Sequence, residues 1–238
     1  KYESYSPTFS SDGLWLYFLS NRQFSATPSS PWGDRNMGPV FDKRSQIFAI
    51  ALVNNAKFPF SKPNELSVNQ ADKTDAKDKP NPVKIDWSGI SQRLWQVPID
   101  SGNYSELRAV DGRLYVLDQA MGDDAEPSLM TIKFDPLSPK AEVFAEDIGH
   151  YAVSADGKKL MLRKFSNDKA LMIVDGGDKL GDTDNAKVQT DQWQLAIYPQ
   201  LEWQQMFEDA WLMHRESFFD KKMRGLDWQA TKAKYQPL

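Results

Sequence analysis

Between residues 1 and 198 the apolar positions fall into short runs separated by polar turns, and three of those runs share one construction. In "PTFSSDGLWLYFLSNR" (7–22), "RAVDGRLYVL" (108–117) and "AVSADGKKLMLR" (152–163) an Asp-Gly pair separates a shorter apolar segment from a longer one. Asp-Gly favours a tight turn with positive φ, so each run predicts a β-hairpin. The pairs at Asp111-Gly112 and Asp156-Gly157 stand 45 residues apart, about the length of one four-stranded propeller blade. Asp12-Gly13 and Asp111-Gly112 stand 99 apart; polar, proline-punctuated insertions at 23–44 and 54–84 account for the excess.

This spacing predicts a first blade with strands near 5–10, 14–20, 46–53 and 91–98, where "QIFAIAL" and "RLWQVPI" carry the β-branched and aromatic content of half-buried strands. The second blade takes 104–109, 112–118, 128–134 and 140–145. The third takes 148–154, 158–165, 169–175 and, across a turn-rich connection at 176–187, "QWQLAIY" at 192–198. After Pro199 the period changes: Trp203, Met206, Phe207, Ala210, Trp211, His214 and Phe218 follow the i, i+3, i+4, i+7 spacing of one helix face. A short second helix is expected from Trp228 to about Tyr235, capped by Asp227, with Gly225 in the preceding turn and Pro237 at its end. The expected fold is mostly β, a partial β-propeller of about three four-stranded antiparallel blades (1–198) followed by a short α-helical segment (199–238).

With 238 residues, 40% hydrophobic and 12% aromatic, the chain can bury a substantial core. A net charge of −4 gives no basic surplus for nucleic acid or anionic membrane, so neither is expected as a partner. The absence of cysteine removes disulfides, thiolate metal sites and thiol nucleophiles, and fits cytoplasm and periplasm equally. No signal peptide is evident, and Lys1 stands inside a strand lead-in, which suggests a piece of a longer protein.

Candidate chemistry is sparse. Of the two histidines, His150 precedes the strand "YAVS" and His214 lies in the helix stripe; each is expected to be a hydrogen-bonded packing residue. Neither H-x-x-x-H nor H-E-x-x-H occurs, and G-x-S-x-G, the P-loop and the dinucleotide glycine fingerprint are absent. Ser88 and Ser91 in "DWSGIS" read as a turn. Asp123-Asp124 and Asp182-Asp184 read as solvated loop, with a weak calcium site as the alternative. The Lys/Asp-rich 69–82 reads as a solvated loop. The aromatic residues are expected to pack between blades, apart from Trp32 in "SSPWGDR", which must anchor its loop or contact something else. No catalytic, cofactor-binding or metal-binding residue is assigned, and no cofactor is expected.

The order "PTFSSDGLWLYFLSNR", "SPWGDR", "IDWSGISQRLWQVPIDSGNYSEL" and "LEWQQMFEDAWLMHRESFFDKKMRGLDWQATKAKYQPL" resembles the tricorn-type serine peptidases over nearly the whole chain. The first element is shared with TolB-like propellers and the prolyl-oligopeptidase group. The last is more specific, resembling the junction where the second tricorn propeller passes into a helical domain. The resemblance implies the end of that propeller plus the start of the helical domain, in a parent that degrades peptides by a serine acyl-enzyme mechanism. On that comparison the family's catalytic histidine and serine lie beyond residue 238, the propeller gates substrate access, and the partners are peptides or unfolded polypeptide and further copies of the protein. A TolB-like protein-binding module and a prolyl-oligopeptidase propeller are the competing readings.

Overall fold

The computed structural model describes residues 2–22, 42–62, 83–122, 125–166, 170–183, 185–190 and 192–236. Trp32, Asp123-Asp124, Asp184, Pro237 and most of both insertions lie outside the described residues. Among the described residues, strands β1 (Ser4–Phe9), β2 (Trp15–Ser20), β3 (Gln46–Ala51) and β4 (Leu94–Gln96) form one sheet in sequential order. A second is β5 (Tyr104–Val110), β6 (Arg113–Asp118), β7 (Ser128–Lys133) and β8 (Ala141–Ala145). A third is β9 (Ile148–Val153), β10 (Lys159–Lys164) and β11 (Leu171–Asp175), and every pairing is antiparallel.

Burial explains the apolar runs. In β6 successive side chains point to opposite faces: Leu114 and Val116 join Trp15, Tyr17, Leu19, Ile47 and Ala49 in one core, while Tyr115 and Leu117 join Leu160, Leu162, Met172 and Val174 in another. The middle sheet is covered on both faces and its run "LYVL" is apolar throughout. In β10, "KLMLRK", only Leu160 and Leu162 are buried, because only one face has a neighbouring sheet. Each large side chain taken fully out of water contributes roughly 1.5–3 kcal/mol.

The hairpins fall where Asp-Gly places them, in two designs. Around Asp12-Gly13 and Asp156-Gly157 the loop is four residues long, closed by Ser10 N–H to Trp15 carbonyl (2.9 Å) and Ser154 N–H to Lys159 carbonyl (2.9 Å). Around Asp111-Gly112 Val110 faces Arg113 directly, leaving a two-residue loop.

Two expectations change. Residues 192–198 form no strand, and Trp193 and Leu195 are 73% and 86% exposed. The edge of β11 is covered instead by 186–188: Ile173 N–H donates to Ala186 carbonyl (2.9 Å) and Val188 N–H to Leu171 carbonyl (2.8 Å), with Met172 bridged to Lys187. The alternation Trp193, Leu195, Ile197 has strand period, but the ladder positions it would need are occupied by the preceding segment. The second insertion, read as polar from 54 to 84, supplies core residues at its start. Phe58 and Phe60 are buried, Phe58 against Trp15 and Trp95 (ring centroids 5.4 and 5.1 Å) and Phe60 against Phe134 (5.3 Å).

The chain divides into two compact units, Lys1–Val188 and Gln189–Leu238. In the second, α1 (Pro199–Ser217) begins on Pro199, whose missing N–H costs nothing in a first turn. Its Trp211 stacks on Trp228 of α2 (Trp228–Tyr235) with ring centroids 3.9 Å apart, and Glu208 pairs with Lys232. Asp227 caps α2 by accepting from Ala230 N–H at 2.9 Å. No helix among the described residues is long and apolar enough to cross a membrane.

Candidate functional site

Strands β1, β5 and β9 each open their sheet and occupy its edge. They are also where neighbouring sheets meet. Ala109 N–H donates to Thr8 Oγ1 (3.2 Å) and Tyr5 hydroxyl to Tyr104 carbonyl (3.3 Å) across the first junction. Across the second, Tyr151 hydroxyl donates to Tyr115 carbonyl (2.8 Å) and also bonds Glu106 carbonyl, and His150 Nδ1 lies 2.9–3.0 Å from the Glu106 carboxylate. Blades radiate from a propeller's axis, so the strands that approach most closely belong to its hub.

Both β1 and β5 are bulged at the same place. The register slips between Tyr5 and Thr8 and between Ser105 and Arg108, with Ser6 and Glu106 in the left-handed region (φ 50° and 52°). A bulge re-aims side chains, and at Glu106 it directs both carbonyl and carboxylate to β9. Burial raises the Tyr151 phenol well above its ordinary pKa, a shift that Arg108 opposes and Glu106 reinforces, so Tyr151 is a permanent donor. Ser105, Arg108 and His150 keep exposed side chains along these edges.

Of the residues singled out in the sequence, His150 is hydrogen-bonded as expected but half-exposed, and its partner is a carboxylate one repeat away. His214 is exposed and lines an apolar hollow of about 260 Å³ with Phe207, Ala210, Trp211, Trp228, Thr231 and Tyr235. Ser88 and Ser91 sit at a 3-10 turn around Ile90–Gln92, where Ser88 N–H donates to Asp86 Oδ1 (3.1 Å) and Ser88 carbonyl accepts from Arg93 (2.9 Å). Among the described residues no cluster of three or more His, Cys, Asp or Glu could hold a metal ion. Glu106, Arg108 and Tyr151 were not legible as site residues; the one available signal is that Glu106 and Tyr151 stand 45 residues apart, a full repeat. The arrangement supplies hydrogen-bonding edges and a carboxylate–imidazole pair, with no serine hydroxyl placed on either histidine among the described bonds.

Three sheets stacked face to face and meeting along their first strands define part of a β-propeller, with a helical unit after it in sequence. Residues 1–175 match the tricorn protease second β-propeller domain, and 199–238 match the tricorn protease C1 domain. The chain belongs to the tricorn protease second β-propeller family. Tricorn protease homolog 1 of Streptomyces coelicolor is 27% identical over 256 residues, a match covering 100% of this chain and 23% of that protein. A tricorn protease homolog of Saccharolobus solfataricus is 22% identical over 245 residues, covering 98% of this chain and 21% of that protein. A crystal structure of the tricorn protease superposes with TM-score 0.74 at 20% identity, covering 99% of this chain and 22% of the solved one, a likeness of fold. The chain thus spans less than a quarter of the length of these relatives.

Proposed function

We propose that this chain is a non-catalytic wall segment of a serine peptidase, its propeller blades bounding the passage by which peptides or unfolded polypeptide reach a catalytic centre carried elsewhere on the polypeptide. The observation that carries the reading is the run of two tricorn domains in consecutive order along one chain. In this reading residues 1–198 are the last propeller blades, 199–238 begin the helical domain, and copies of the whole protein assemble together. The geometry supports it: the first strands are sheet edges at the closest approach of the blades, with Ser105, Arg108 and His150 exposed along them. An edge strand offers backbone groups to an extended peptide without selecting its sequence.

The test is on the full-length protein carrying Ser105→Cys, coupled to a bulky maleimide. Cleavage of long unfolded substrates should fall against the unmodified variant. Unchanged cleavage would remove the passage, and capture of a folded protein by the propeller with no effect on proteolysis would favour a TolB-like binding module.

A further inference from the structure

The chain contains four Asp-Gly pairs, at 12–13, 111–112, 156–157 and 175–176. In such a pair glycine offers no side chain to hinder attack of its backbone nitrogen on the neighbouring carboxyl carbon. Whether the attack happens depends on whether both groups are held elsewhere.

In three pairs they are. Asp12 Oδ1 accepts from Ser10 Oγ (2.5 Å) and Leu14 N–H (2.9 Å), while Gly13 N–H donates to Ser10 carbonyl (3.0 Å). Asp156 repeats this with Ser154 Oγ (2.6 Å) and Lys158 N–H (3.1 Å), and Gly157 N–H donates to Ser154 carbonyl (2.9 Å). The Ser154 hydroxyl, and after it the Lys158 amide, hold the Asp156 carboxyl below its usual range, so the neutral form that can lose water is depleted. Asp175 pairs with Lys159 Nζ (2.7 Å), and Gly176 N–H donates to Lys158 carbonyl (2.8 Å).

At 111–112 neither constraint is present among the described residues. The two-residue loop has no serine two positions before its aspartate, where Ala109 stands, and among the described residues the Asp111 carboxylate and Gly112 N–H have no intramolecular hydrogen bond. Both residues are exposed, and the space where a glycine side chain would stand is empty within 4 Å.

We propose that Asp111-Gly112 is a site of covalent backbone isomerisation, to which the other three pairs are resistant. The Gly112 nitrogen, giving up its proton, forms a bond to Asp111 Cγ, and one carboxyl oxygen leaves as water to close a five-membered succinimide. Water then adds to one of the two imide carbonyls. Addition at Cγ breaks the N–Cγ bond and restores aspartate. Addition at the α-carbonyl breaks the original peptide bond and leaves the chain running through the side chain as isoaspartate, with no net change in mass. The product lengthens the backbone by one carbon at the tip of the hairpin joining β5 and β6. That tip packs against the third sheet, where a side chain at Gly157 would stand 3.4 Å from Val110 Cβ.

The test is to age the intact folded protein at neutral pH. Isoaspartate is then located by peptide mapping with electron-transfer fragmentation and counted by enzymatic methylation of isoaspartyl carboxylates. Isoaspartate should accumulate at 111 several-fold faster than at 12, 156 or 175. In a denatured control all four should convert at comparable rates, and Ser154→Ala should raise conversion at 156. Equal rates at the four sites in the folded protein, or no conversion at 111 while the denatured control converts, would overturn the proposal.

Discussion

Tyr151 and Tyr17 are both buried tyrosines with phenols pushed above their ordinary pKa, yet their hydroxyls differ in kind. Tyr151 reaches two backbone carbonyls across a blade junction, whereas the Tyr17 hydroxyl has no partner among the described residues. Removing a buried donor from its acceptors costs about 1–3 kcal/mol, while removing an unsatisfied hydroxyl is neutral or stabilising. Tyr151→Phe should therefore lower the urea midpoint at unchanged slope, and Tyr17→Phe should leave or raise it. Asp147 makes a pH-dependent contribution. Burial pushes its carboxyl up, but Ser166 through hydroxyl (2.8 Å) and backbone N–H (2.8 Å), together with Lys164 (3.3 Å), outweigh this and leave the pKa lowered. A lowered folded-state value means stability present above the unfolded carboxylate pKa, about 3.9, and lost as pH falls through the folded value. Asp147→Asn, which tolerates the left-handed φ of 58°, should cost about 1.5–3 kcal/mol near neutrality and flatten the acid limb of stability against pH. None of these roles was legible from residue type. Glu106 and Asp147 take conformations usually given to glycine, and their partners come from other strands.

At the scale of elements, the hairpins were legible because Asp-Gly acts through a local backbone preference. The strand expected at 192–198 was not, because pairing is a contest between segments that a periodic pattern cannot adjudicate. The helix pair shows the same limit. The stripe Trp203, Met206, Phe207, Ala210, Trp211, His214 and Phe218 read as one helix face, and within α1 Trp211 alone is buried while Trp203 and Met206 are each 65% exposed. Spacing identified the helix; which part of the stripe finds a partner depends on where α2 comes back. The Trp211–Trp228 stack is the main cross-helix contact besides the Glu208–Lys232 pair, which is partly solvated and worth little. Trp211→Ala should remove about 3–5 kcal/mol from the pairing, detected as loss of the near-ultraviolet tryptophan signal while the far-ultraviolet strand signal of the propeller unit persists.

For the whole molecule, the apolar surface exposed by the described residues decides which part of the segment should self-associate when purified alone. On the first sheet Phe18 and Phe48 stack at 5.9 Å, are 7% and 3% exposed, and lie under the Arg22 guanidinium at 5.3 and 4.8 Å. The outer face of the third sheet carries Met161 and Ile173 among His150, Arg163 and the Lys159–Asp175 pair, a half-polar surface. The second unit is different: Trp193, Leu195, Leu201, Trp203, Met206, Met213 and Phe219 are all exposed. At roughly 25 cal/mol per Å², covering several hundred Å² of such surface favours association by several kcal/mol, against an entropic cost of about 4–15 kcal/mol. Association of the segment should therefore depend on residues 189–238. Sedimentation velocity over the micromolar range should show residues 1–238 associating and binding a hydrophobic dye, and residues 1–188 remaining monomeric with weaker dye binding. If residues 1–188 associate as strongly as the longer chain, the sheet faces are the adhesive surfaces, and the Arg22 cover and the charges around Ile173 do not shield them.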